Sequence, residues 1–303
     1  MKRSKPDLAG IAATVQRMGV LLAAGTAPAA AWHYLGEGSI ASVIARSAAS
    51  GEAIPDAIAD AITGLPPREQ TMWRAVAAAW FVASAAGAPL APTLIELSGA
   101  IRDLAQAQRE IAVALASPAA TARLVLVLPG VGLLFGTFLG FNTIGTLLTT
   151  PIGWACLGLG AGLLVAAARW NRRMVRSAEP RNTTPGLELD LLAIAVSGGG
   201  ALDRARASVA EAMARFPNGE TTPDPAVDLI LDLSRRAGVP AAALLRSEAV
   251  ESRREARAAA AEGAQSLSVR LMIPLGLCIL PAFMVLSVVP LVVTVLGSTS
   301  LRF

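Results

Sequence analysis

LVLVLPGVGLLFGTFLGFNTIGTLLTTPIGWACLGLGAGLLVAAA, from Leu124 to Ala168, runs for 45 residues without a charge. A membrane-spanning helix needs about 20 residues at about 1.5 Å rise each, so the run is long enough to cross a bilayer twice. A transmembrane helical hairpin over 120–170 follows, with spans over about 121–141 and 151–169 and a turn within Asn142 to Thr150. Thr150 and Pro151 mark the second start, because a threonine hydroxyl satisfies first-turn amides and proline fits the first helical position. Trp154 and Trp170 fall near the ends of that span, as aromatic rings do at membrane interfaces.

A second charge-free run, Leu271 to Leu301, predicts a third span over 269–297 and a short tail over 298–303. Pro274, Pro281 and Pro290 lie inside it, so it is expected to be kinked and packed against protein that re-satisfies the freed carbonyls. The whole composition agrees: 54% hydrophobic residues, 16% charged residues and a mean hydropathy of +0.55 are too apolar for an ordinary soluble domain. Cys156 and Cys278 both lie inside the apolar runs, where a disulfide framework has no role, and read as small core residues. Lys2, Arg3 and Lys5 before the apolar stretch Met18 to Ala31 invite a signal-peptide reading, but Gln16, Arg17 and Pro28 interrupt it.

Arginines set the expected orientation. Arg169, Arg172, Arg173 and Arg176 follow the second span, Arg123 precedes the first and Arg270 the third, while the hairpin turn carries no charge. The positive-inside rule then puts residues 1–119 and 171–268 in the cytoplasm and the C-terminus on the far side. The same cluster could bind anionic lipid headgroups.

Those two polar segments resemble each other. LLAAGTAPAAA (Leu21 to Ala31) matches IAVSGGGALDR (Ile194 to Arg204) at an offset of 173, each reading as helix, glycine turn (Gly25 or Gly198), helix. SAAGAPLAPTL (Ser84 to Leu94) matches RRAGVPAAALL (Arg235 to Leu245) at an offset of 151. Both place Gly-x-Pro (Gly87 and Pro89, Gly238 and Pro240) between helices, since glycine supplies a left-handed C-cap and proline starts the next helix. The turn-to-corner distance is 62 residues in the first copy and 40 in the second, which predicts an insertion at Tyr34 to Pro67 forming one or two short helices. After each corner comes a long charged helix, Leu90 to Ala116 and Ala241 to Glu262. The second carries Arg246, Glu248, Glu251, Arg253, Arg254, Glu255 and Arg257, either a solvated face or a partner-binding one. No stretch shows strand alternation, so the fold class is all-α: two helical-bundle cytoplasmic modules and three transmembrane helices.

At these residues the chain resembles the type II secretion F domain proteins, inner-membrane platforms of type II secretion systems, type IV pili and tight-adherence (Tad/Flp) pili. ATARLVLVLPGVGLLFG (Ala120 to Gly136) is similar to TadB-type platforms and VRLMIPLGLCILPAFMVLSVVPLV (Val269 to Val292) to TadC-type ones. The resemblance implies a non-enzymatic bacterial inner-membrane protein that contacts a cytoplasmic hexameric ATPase and couples it to extraction of pilin subunits. It further implies assembly with itself or a second platform subunit, membrane lipid as surroundings, no cofactor and no nucleic-acid partner. The second module is shorter than the family's usual bundle, and TadB-like and TadC-like features share one chain.

Other readings compete. Gly132, Gly136 and Gly140 in the first span, and Gly158 and Gly162 in the second, have the four-residue spacing that lets membrane helices approach closely, or simply reflect the glycine content of such helices. Ser197-Gly198-Gly199-Gly200 could cradle a phosphate, but no strand precedes it and no Walker lysine motif is present. With His33 the only histidine, no histidine-based triad or multi-histidine metal site is possible. A transporter or channel would need ionisable residues inside the spans. A membrane-anchored scaffold or signalling protein remains open, and a hydrolase would have only the carboxylate pairs Asp56/Asp60 or Glu248/Glu251.

Overall fold

The structure is a computed structural model that describes residues 7–36, 40–114, 127, 130–132, 134–135, 137–138, 145, 148–177, 184–218, 224–270, 273, 275–290 and 292. Every regular element among them is helical. The chain divides into two compact units, one of Met1–Gln108 with Pro180–Ala258 and one of Arg109–Glu179 with Ala259–Phe303.

In the first unit, α1 (Leu8–Ala23) starts where Asp7 accepts a hydrogen bond from the Gly10 amide at 2.9 Å. It buries Leu8, Ile11, Ala12, Val15 and Met18, an apolar stripe at helical spacing. Pro28 opens α2 (Pro28–Tyr34), and α3 (Ile40–Ala49) and α4 (Ile54–Ala61) occupy the expected insertion. Next come α5 (Pro67–Ala86) and α6 (Leu90–Ala114). From the later segment come α8 (Leu187–Ser197), α9 (Leu202–Arg215), α10 (Ala226–Ala237) and α11 (Ala241–Arg270).

The two polar segments share one core. The central helix α5 receives α1 and α4 from its own segment and α8 and α9 from the other. Ala75, Ala77, Ala78 and Ala79 are fully buried and leave room for close neighbours, while Trp73 and Trp80 hold Trp32 between them at ring distances of 6.2 Å. Residues placed in two modules on sequence grounds therefore fold as one body, because each half leaves an apolar face that only the other covers.

Both corner motifs adopt the geometry their residues require. Gly87 closes α5 at φ 67°, ψ 23° and Gly238 closes α10 at φ 66°, ψ 22°, both left-handed. The turn after α8 corrects the expected register: Gly198 has φ −73°, and the left-handed residue is Gly199 at φ 80°, matching Gly25 at φ 85°. Superposed this way, Ala24 (φ −77°, ψ 2°) pairs with Gly198 (ψ −1°), and Ala27 (φ −61°, ψ 141°) with Ala201 (φ −58°, ψ 142°).

In the second unit, α7 (Pro151–Ser177) begins at the expected proline, and the Gly153 amide donates to Thr150 Oγ1 at 3.0 Å. Three transmembrane helices were expected, whereas a single helix among the described residues, Pro151–Met174 with mean hydropathy 1.7, is long and apolar enough to cross a bilayer. The expected first span lies largely outside the described residues. The third is described as a shorter apolar stretch, Gly276–Val288. There the π-helical turns Leu275–Ile279 and Met284–Val288 flank the α-helical turn α12 (Leu280–Phe283) around Pro281. Proline has no amide to give and its ring crowds the preceding turn, so a widened helix is a physical answer to the kink its sequence calls for.

Candidate functional site

A charged cleft of about 260 Å³ lies in the first unit where α6, α8 and α11 meet, lined among others by Leu97, Leu191 and Ile194. Asp190 is one of two acids in the first turn of α8, LELDLLAIAV, and the fold brings Arg253 of α11 to it at 2.5 Å. Beside this pair, Arg246 of α11 meets Glu96 of α6 at 3.0 Å. Burial pushes the Asp190 carboxyl above the usual carboxylate range, Arg253 pulls it back, Glu96 adds to the rise and Arg246 opposes it. Each arginine thus has a carboxylate, and the arrangement fastens α11 to α6 and α8 rather than presenting a free nucleophile or base.

That geometry divides the charged face of α11. Arg253 turns inward and Arg246 is partly exposed, whereas Glu251, Arg254, Glu255 and Arg257 are exposed. Glu251 and Arg254 meet at 3.4 Å one turn apart, an exposed pair that contributes little to stability.

One carboxylate of each pair weighed as hydrolytic, Asp56 and Glu251, has an arginine partner. Asp56 accepts two hydrogen bonds from Arg215, at 3.0 and 2.7 Å, and the same guanidinium lies over Phe81 at 5.5 Å, tying α9 to α4 and α5. His33 is exposed beside Tyr34. No group of three metal-ligating side chains occurs among the described residues.

The glycines differ in what surrounds them. A Cβ at Gly198 would stand 2.0 Å from the Ala86 carbonyl oxygen, so the turn after α8 lies directly on the end of α5. Gly25, Gly87 and Gly238 have open space and are needed for their positive φ instead. Pro89 and Pro240 stand before α6 and α11 as expected. In the second unit, Gly132 faces Ser287 and Phe283, with a built Cβ 2.7 Å from Ser287 Oγ. Gly158 and Gly162 meet nothing within 4 Å, and the close approach on α7 is made by Gly160, whose Cβ would lie 2.3 Å from Leu286. Gly136 and Gly140 lie outside the described residues.

Around that packed seam, where Ala167, Cys278 and Ile279 cluster, the second unit turns large apolar side chains outward. Trp154 is 64% exposed, Leu159 60% and Leu277 63%. An element with a small-residue interior seam and an apolar exterior is built for lipid rather than water. Arg169, Arg172 and Arg173 are exposed towards the polar end of α7, Arg176 follows on the same helix, and Arg270 ends α11. Arg123 lies outside the described residues.

Sequence reasoning missed Asp190 and Glu96. Two acids at the start of an otherwise apolar helix, Glu188 and Asp190, were the available signal, because a carboxylate buried there must find a partner.

An all-helical protein with a polar, ion-paired unit and an outwardly apolar one is the class these observations define. Residues 14–138, from within α1 past the end of α6, match the family described as type II secretion system (T2SS), protein F. The chain carries a protein F domain over that stretch, in keeping with the resemblance read from its sequence. No curated protein and no solved structure matches the chain.

Proposed function

We propose that this chain is a non-enzymatic inner-membrane platform of a type II secretion or type IV pilus machine, of the Tad/Flp kind, coupling a cytoplasmic hexameric ATPase to pilin extraction and filament assembly. The single observation that carries the reading is the protein F domain match over residues 14–138. The outward apolar side chains of the second unit support membrane insertion beyond the one span.

The shared core adds a topological argument. Two segments that pack around α5 must lie on the same side of a membrane, so the chain between them crosses an even number of times. One long span is described in that interval, and a partner span over about 121–141 completes the hairpin. The arginines at the polar end of α7 support putting that common side in the cytoplasm.

The outward charges of α11 are the surface we assign to the ATPase. The test is co-purification of the full-length chain, in mild detergent, with a secretion ATPase of the same cell. Retention of the ATPase, weakened several-fold by Glu251→Lys with Glu255→Lys, supports the proposal. No retention under any condition, with filament assembly intact after deletion of the chain, would sink it.

A further inference from the structure

We propose that Arg253 is the moving part of a switch in the cleft between α6, α8 and α11: it exchanges its carboxylate on α8, Asp190, for one on α6, Asp103, and so draws α11 against α6. The inference rests on the register of the charges and stands apart from the secretion reading.

On α6, Glu96 and Asp103 stand seven residues apart, and on α11 Arg246 and Arg253 do the same. Seven residues are two turns of a helix, so each pair shares one face with its members about 10 Å apart along the axis. All four residues line the one cleft, which requires the two helices to run in the same direction. Arg246 meets Glu96 at 3.0 Å, an offset of 150 in the numbering, and the same offset puts Arg253 level with Asp103. The helices thus present a ladder of two opposite-charge rungs, of which one is closed.

The second rung is open because Asp190 holds Arg253 at 2.5 Å, in a pair only 15% and 20% exposed. Asp103 is exposed and has no hydrogen bond or ion pair among the described residues. Between the rungs, α6 offers Gly99 and Ala100 and α11 offers Val250, and a Cβ on Gly99 would meet nothing within 4 Å. No bulky side chain there blocks closure, and the cleft of about 260 Å³ gives α11 room to move.

Exchange leaves Asp190 buried without its cation, which favours the protonated carboxyl. Burial already raises that carboxyl above its usual range, Arg253 pulls it back, Glu96 adds to the rise and Arg246 opposes it. Those three and Asp103 are the charged residues that α6 and α11 bring to the cleft, while α5 brings only Ala79 and α9 none. Glu188, on α8 itself, accepts a hydrogen bond from the Asp224 amide instead. The closed state therefore binds protons at Asp190 more tightly than the open one, so falling pH favours closure and rising pH returns Arg253 to Asp190.

The experiment measures the separation of spin labels on the full-length chain in detergent, attached through Arg102→Cys and Arg254→Cys, exposed neighbours of the open rung. Cys156 and Cys278 are buried, and the chain without the two new cysteines is the control for their labelling. Asp190→Asn, which mimics the protonated acid, is expected to shorten the separation by about 1–2 Å at neutral pH, the size of an ordinary helix shift. Adding Asp103→Asn should restore the original distance. Equal separations with and without Asp190→Asn overturn the switch. Should Asp190→Asn fail to fold, the exposed substitution Asp103→Asn decides alone: acidification should shorten the separation in its presence of Asp103 and leave it unchanged in Asp103→Asn. Closure of both on acidification, or of neither, overturns the inference.

Discussion

Gly198 and Gly25 look interchangeable in sequence, yet they serve different physical ends. Alanine at Gly198 would drive a methyl into the Ala86 carbonyl, so Gly198→Ala is expected to cost about 1–3 kcal/mol by overpacking a contact between backbones. Alanine at Gly25 meets no atom and must instead adopt φ near 85°, at a cost of about 1 kcal/mol. Thermal unfolding of the two variants in the same detergent should show the larger loss at Gly198. Asp190 is the other residue with a sharp expectation. Its folded carboxyl binds protons more tightly than the unfolded one, so its titration makes the native state lose stability as pH rises from the usual aspartate range through the raised folded value. Asp190→Asn removes that slope. The stability gap between wild type and variant, followed against pH, should be widest in acid and narrow as Asp190 ionises. A gap that widens with rising pH would contradict this account.

Helices show how far local pattern reaches. Thr150 and Pro151 announce the start of α7, Gly87 and Gly238 announce the corners, and the breaks between Tyr34 and Pro67 announce α3 and α4, because caps, left-handed glycines and proline starts are decided by a few neighbouring residues. Rotation of a helix about its axis is not. Gly158 and Gly162 have the spacing of a packing face, but the seam is set by Leu286 on another element and selects Gly160. Gly160→Leu should therefore reduce the amount of folded chain recovered from membranes several-fold, while Gly162→Leu leaves intrachain folding unchanged, as read by size-exclusion profile and protease resistance. The reverse order would put the seam on the other face of α7. The same limit hid the ion pairs of the cleft: Asp190 and Arg253 are far apart in sequence, and nothing local to either names its partner.

At the scale of the whole molecule, the polar segments before and after the charge-free run Leu124 to Ala168 resemble each other strongly enough to suggest two independent modules. What the pattern does not contain is the apolar face each half leaves uncovered, since amphipathic spacing reports that a face is buried and not by what. In the proposed platform, the shared core around α5 makes the membrane topology a consequence of packing as much as of arginine bias. It also means that neither polar segment is expected to fold alone: 1–117 expressed by itself should aggregate or show poor helix content, and co-expression with 181–265 should restore it, as followed by circular dichroism.

The account stands or falls on both polar segments occupying the cytoplasmic side of one membrane. Single cysteines at the exposed positions Arg46 and Arg204, one in each segment, can be probed with a membrane-impermeant maleimide in intact and permeabilised cells. Both should be labelled only after permeabilisation; labelling of one alone in intact cells would contradict the shared core, and labelling of both would contradict the platform reading.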